Sequence, residues 1–458
     1  MASLPSYVAN AQPVPKDQRV PWFKTTAQTY AGIMLWFVFW ESVPTAASTP
    51  GGLLGQGIGP AILGVVIAAL LCHFLFFIAP GMLGMKTGLP LAVVGTSTYG
   101  VQGGFLMPGF FMGVLQFGWL AVNAFFSSKL LAGFFDYPAM SPQHLAIGAI
   151  FVIAAVLVGL KGINYVAKTA TYLPLIPLVI LLILLAKTVS GLGAFEPKMV
   201  TAGASVPGSM DLMLLAITGI VGFFATAGAA GVDIASSNRN AKDVQIGGLT
   251  GVAGATILTG CLALLIVAGA YGSGLMTGKP VELNPTKLMS TIMGEGTAKI
   301  FWLLLAIAAF PPACFSSLIA AASFKNTLPK VNPFISCGIG AAASIALVFS
   351  GKAGDAAGVF GIIGASFGPI CGAMTADYLL AGRKWAGPRA GFNPAGWISW
   401  AVGFIVGAWN SLFAGLFHVD FQMPCPPVAA YIVGFVLYII LAKVGMESQK
   451  LGHPAVKT

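Results

Sequence analysis

The sequence predicts an all-α integral membrane protein, and three observations carry that prediction. Of 458 residues, 57% are hydrophobic and 8% charged, a balance outside ordinary soluble usage. The apolar residues gather into windows of about 20, the length a helix needs to cross the hydrocarbon core. Glycine (59) and proline (29) are frequent and several lie inside those windows, as helices in membranes tolerate.

Taken in order, the windows place twelve spans, roughly at 26–49, 58–84, 105–133, 143–160, 169–189, 210–231, 245–272, 298–323, 333–350, 355–380, 394–417 and 426–445. An even count puts both termini on one side. With that side cytoplasmic, sixteen of the 23 Lys and Arg fall in inner segments and seven in outer ones, as the positive-inside rule requires. The expected location is the plasma (inner) membrane, multi-pass, with both termini cytoplasmic. No loop is long enough to bury a core of its own.

Composition also excludes function classes. The net charge of +10 comes from basic residues scattered singly, so no nucleic-acid partner is expected and the bilayer is the surrounding partner. The six cysteines form no CxxC pair and the four histidines no metal-ligand spacing. No nucleophile elbow, HExxH, P-loop or Rossmann fingerprint occurs. The protein is therefore expected to be neither an enzyme nor an ATP-driven pump, and no bound cofactor is expected. The first 24 residues lack the apolar region of a signal peptide and read as a cytoplasmic tail. Nothing in the sequence specifies an oligomeric state.

Two spans read as interrupted. The first carries "PTAASTPGG" just after Glu41, and the sixth carries "GFFATAGAAGVD", a run of poor helix formers. Secondary transporters often hold paired broken helices at corresponding positions of two inverted repeats, with the binding site at the breaks. The alternative is that small residues only let helices approach closely, which is the reading for Gly364, Gly368 and Gly372 in the tenth span.

Polar groups at membrane depth mark a pathway or a partner. In the third span Gln116, Trp119 and Asn123 stand at i, i+3 and i+7, on one helical face. An indole flanked by two amides suits a flat heteroaromatic ring, stacked on Trp119 and hydrogen-bonded at its edge; interhelical hydrogen bonds from the amides are the alternative. Phe223 or Phe224 of the sixth span is placed to close the other face, with Thr226 adding a hydroxyl. In the eighth span, Pro311 and Pro312 remove two backbone donors and free carbonyls near Ala308, with Ser316 and Ser317 one to two turns beyond.

The order of "STPGGLLGQGIG", "GMKTGLP", "QFGW", "GVDIASSNRNAKDV" and "ADYLLAGRK" resembles the nucleobase:cation symporter-1 family, nearest to its cytosine-permease and hydroxymethylpyrimidine-transporter branches. The resemblance implies a LeuT-like fold of two inverted five-helix repeats plus two helices, working by alternating access. On that frame the chain divides into an N-terminal tail (1–24), a first repeat (25–190), a second repeat (205–382), the last two spans (394–445) and a C-terminal tail (446–458). It implies import of a nucleobase or related planar heterocycle, such as cytosine, a purine or hydroxymethylpyrimidine, driven by sodium or protons. The implied substrate-binding residues are Gln116, Trp119, Phe224 and Thr226, with Asn123 where the hydantoin branch has its helix 3 amide and Ser317 beside them.

One departure matters. Sodium-coupled members place hydroxyl residues where Pro311 and Pro312 align, and proline offers no side-chain oxygen to an oxygen cage. Glu41, on the element that faces the eighth span in this fold, then becomes the expected coupling site, with Ser42 and Ser316. Low dielectric disfavours a bare carboxylate, so a proton loaded outside and released inside is the first ion to expect. The alternatives are a structural tie at Glu41, sodium with Glu41 completing its site, or a channel or facilitator without coupling.

Overall fold

The computed structural model describes residues 4–24, 37–46, 49–161, 173 and 175–453. Its helices are α1 (Phe37–Thr45), α2 (Ile58–Thr87), α3 (Phe105–Phe134), α4 (Pro142–Leu160), α5 (Leu175–Ala194), α6 (Ser209–Ala235) and α7 (Ala241–Gly272). There follow a short α8 (Pro285–Met293), α9 (Glu295–Thr327), α10 (Pro333–Phe349) and α11 (Ala356–Leu380). The last two are α12, whose halves Pro394–Gly407 and Trp409–Phe417 meet at a 62° bend, and α13 (Pro426–Lys443). Among the described residues there is no strand, only the isolated bridges Val20↔Asn238 and Arg389↔Lys450.

Nine helices among the described residues are long and apolar enough to cross a bilayer, and bent α12 makes a tenth. These match ten of the twelve expected spans. The helix α10 occupies the expected ninth span with 17 residues. The first span is described only as α1, because 25–36 and 47–48 lie outside the described residues, as do 169–172 and 174 at the start of the fifth. Helices at the rim turn apolar stripes outward: Ile150, Ile153 and Leu157 of α4 are all exposed, at the spacing of one helical face, as lipid requires.

Both expected interruptions need correction. The sixth span is not broken: α6 is one helix of 27 residues. Its small residues serve packing, since a Cβ at Gly228 or Gly231 would come within 2.8 Å of Phe76 or Phe77 on α2. In the first span, α1 runs unbroken through Glu41 and ends at Thr45. Pro44 and Thr45 of "PTAASTPGG" close α1, and Gly52, at φ 54°, turns toward α2 where a Cβ would meet the Pro44 carbonyl oxygen at 1.8 Å.

The ninth helix does break, at Ala309, between Glu295–Ala308 and Phe310–Thr327. Two adjacent prolines account for it, since neither can donate into the preceding turn. Wide π turns interrupt α2 at Cys72–Phe77 and α7 at Leu249–Gly254, and the two touch. The glycines Gly364, Gly368 and Gly372 bring the α11 backbone against Pro427, Ala430 and Tyr431 of α13, a small-residue seam.

The end of the bundle where both described termini lie is tied by an ion triad in which Arg389 and Asp377 are buried and Glu447 is partly exposed. Arg389 sits 2.9 Å from Asp377 and 2.6 Å from Glu447, and the Tyr438 hydroxyl lies 3.1 and 3.0 Å from the same two carboxylates. Ala390 and Leu451 add backbone bonds between the 388–390 stretch and the C-terminal segment. Removing one member of a buried pair leaves the other charge uncompensated, at roughly 3–5 kcal/mol. Arg389→Ala is accordingly expected to lower stability by that amount, read as an earlier thermal-unfolding midpoint in detergent.

Candidate functional site

A cleft of about 470 Å³, counting its open mouth, lies where α3, α6 and α9 meet. The helix α3 contributes Gln116 and Trp119, α6 contributes Thr226, Ala227, Ala230 and Ile234, and α9 contributes Pro312, Phe315, Ser316 and Ile319. The spacing explains the convergence. Residues 226, 230 and 234 step down one side of α6, and 312, 316 and 319 do the same on α9 after its break.

Trp119 is held by other rings. Phe223 of α6 meets it edge-on with centroids 4.5 Å apart, and Phe360 of α11 lies 4.8 Å away. Phe223 and Phe360 also meet each other at 4.8 Å and 80°. This three-ring cluster fixes the indole, an arrangement worth about 0.5–1.5 kcal/mol per pair beyond area burial. Gln116, 5% exposed, donates its amide nitrogen to Met112 Sδ at 3.4 Å. A thioether is a weak acceptor, so little is lost when the amide turns to a ligand.

Of the nine residues expected to form the sites, Gln116, Trp119, Thr226 and Ser316 share this cleft. Asn123 does not line it. Its Nδ2 donates to the Ala309 carbonyl at 3.0 Å and its Oδ1 accepts from Ser127 at 3.0 Å, so its amide braces the α9 break. Ser317 is buried and bonded back to the Ala313 carbonyl, as serine in a membrane helix commonly is. Phe224 is fully buried and outside the lining, while its neighbour Phe223 reaches Trp119. The 100° between consecutive helical residues decides which of the two rings faces inward.

The expected ion set is not assembled in one place. Glu41 is buried on α1, with the side chains of Thr286 and Asn284 beside its carboxyl. Ser42 is exposed, and its carbonyl accepts from the Thr45 hydroxyl. Ser316 lies in the cleft, apart from both. Sequence reasoning missed Phe360, Phe315 and Ile319. Ile319 was findable from Ser316, and Phe315 from Pro312, by i, i+3 spacing, whereas Phe360 carries no local signal.

A family model for permeases for cytosine/purines, uracil, thiamine and allantoin matches residues 19–434. Among solved structures, the inward-facing conformation of Mhp1 superposes with a TM-score of 0.71 at 16% identity, over 96% of this chain and 95% of that one. Mhp1, a nucleobase-cation-symport-1 family transporter, in a closed conformation with bromovinylhydantoin bound gives 0.67 at 16% identity, over 97% and 98%. A Na+-coupled sialic acid symporter in a substrate-bound outward-open state gives 0.57 at 12% identity, over 97% and 93%. No curated protein matches by sequence. With the family model spanning 416 positions and the Mhp1 architecture over 96% of the chain, the chain belongs to the family of permeases for cytosine/purines, uracil, thiamine and allantoin, a multi-pass membrane transporter with the LeuT-like fold and not an enzyme.

Proposed function

We propose that the protein imports a planar nucleobase-like heterocycle by proton-coupled symport. The observation that carries this reading is the convergence of Gln116, Trp119 and Thr226, from two helices, on one cleft. The indole offers a stacking face and the amide and hydroxyl offer edge donors and acceptors, which together suit a flat ring with alternating polar atoms. Ser316 adds a hydroxyl from the third wall.

The cleft's shape supports an inward-facing state. Its lining runs from Thr226 to Ile234 and from Pro312 to Ile319, toward the C-terminal ends of α6 and α9. With the termini cytoplasmic, as the basic residues favour, those ends face the cytoplasm. The Trp119, Phe223 and Phe360 cluster then closes the outer side. On this reading the repeats 25–190 and 205–382 rock about the cleft in the plasma membrane. Support for a proton comes from Pro312, which presents a ring without oxygen to the cleft, and from Glu41, an acid buried on α1.

A thermal-shift screen of the purified protein against cytosine, uracil, adenine, hydroxymethylpyrimidine, allantoin and a hydantoin tests the substrate class. A ligand at a hundredfold excess over its Kd stabilises the native state by about 2.7 kcal/mol. At least one planar base should raise the unfolding midpoint of the wild type and fail to do so in Gln116→Leu. A panel with no shift, or with equal shifts in both proteins, contradicts the assignment.

A further inference from the structure

Two buried oxygens with no close hydrogen bond elsewhere meet at the seam between α1 and α8. Glu41 is 6% exposed and Thr286, in the first turn of α8, is 4% exposed. Neither Glu41 Oε2 nor Thr286 Oγ1 makes a close hydrogen bond to any other group, and Thr286 and Asn284 are the two side chains set to hydrogen-bond the carboxyl. A buried polar atom left without any partner costs about 1–3 kcal/mol, so each of the two oxygens depends on the other for its hydrogen bond.

The surroundings are asymmetric. Asn284, the other polar neighbour, already spends its Oδ1 on the amides of Thr286 and Lys287 at 2.9 and 3.3 Å, which leaves only its donor nitrogen for Glu41. Thr286 is held in place by its carbonyl, which accepts from Trp302 Nε1 at 3.1 Å. The stretch before it is anchored by Tyr271, whose hydroxyl accepts from Glu282 N at 2.8 Å. Thus α8 is tied to α7 and α9, and Glu41 reaches it from α1.

The charged groups facing Glu41 are Lys129 of α3 and Lys287 of α8, and Lys287 is already paired with Glu282 at 2.8 Å. The face of α7 that packs on α1 carries no charged residue between 255 and 272, and the acids of α6, Asp211 and Asp233, lie at its ends.

We infer that Thr286 is the positioning residue for proton coupling at Glu41, its hydroxyl accepting from the protonated carboxyl and turning to donate to the carboxylate. A hydroxyl both donates and accepts, and so serves both states by a single rotation, whereas the oxygen of Asn284 is already taken. The amide nitrogen of Asn284 can donate to either form but cannot accept the proton-bearing O–H of the protonated one. The inference rests on the reading of Glu41 as the proton site, and it makes the outer α1–α8 seam, away from the substrate cleft, the place where proton occupancy is registered.

Infrared difference spectroscopy of the purified protein, titrated without substrate, tests it. Acidification should raise a carboxyl C=O band that is missing in Glu41→Gln. Thr286→Val should move that band to higher wavenumber, because the protonated acid loses its acceptor, and Thr286→Ser should restore its position. Thr286→Ala reads the same loss if the valine variant fails to fold, with the thermal midpoint as the check. A band absent in Glu41→Gln but unmoved in Thr286→Val and Thr286→Ala overturns the role of Thr286 and leaves Glu41 in place. A full set of titrating bands in Glu41→Gln removes both readings.

Discussion

Trp119→Ala is expected to weaken binding of the planar substrate by roughly 5- to 150-fold, the equivalent of the about 1–3 kcal/mol that a base gains by stacking on an aromatic side chain. Titration calorimetry with the base chosen by the thermal-shift screen measures it. The substitution also empties one corner of the Trp119, Phe223 and Phe360 cluster, and an aromatic-to-alanine change in a core costs about 3–5 kcal/mol of stability. Affinity is therefore compared with Trp119→Phe, which keeps a ring in the cluster and should retain most of the binding. Equal affinity in wild type and Trp119→Ala would remove stacking from the account.

Glu41→Gln is expected to abolish proton-driven accumulation while sparing exchange. The amide has nearly the size of the acid but neither takes up nor releases a proton. One pH unit across the membrane is worth about 1.4 kcal/mol, or about tenfold accumulation for one proton per substrate. In proteoliposomes with an imposed gradient, wild type should approach that ratio and Glu41→Gln should stop at the outside concentration. Counterflow of labelled against unlabelled base should stay within a few-fold of wild type, because Glu41 does not line the cleft. Undiminished accumulation in the variant would assign coupling elsewhere.

The spans were legible because hydropathy sums over about 20 residues, so small errors cancel. The expected breaks were less so, because glycine and alanine carry two meanings that composition does not separate. At Gly228 and Gly231 the missing side chains make room for Phe76 and Phe77, and α6 stays whole. At Ala309 the two prolines leave only one meaning, and the helix does break. In the cleft, Gln116 and Trp119 were readable from their i, i+3 spacing. Asn123, a turn beyond, was not, because whether an amide faces a ligand or a neighbouring carbonyl depends on α9. Thr286 was invisible for the same reason: its meaning comes from Glu41, distant in sequence and adjacent in space.

The central claim is proton-coupled uptake of a planar base, and the most direct measurement is uptake by wild-type protein in proteoliposomes under one imposed gradient at a time. The base giving the largest thermal shift is supplied outside, first with an inward proton gradient and no sodium, then with an inward sodium gradient at equal pH. Saturable accumulation above the outside concentration is expected with the proton gradient alone, and none with sodium alone. Accumulation under sodium alone, or flux that equilibrates without saturating under either gradient, would contradict it.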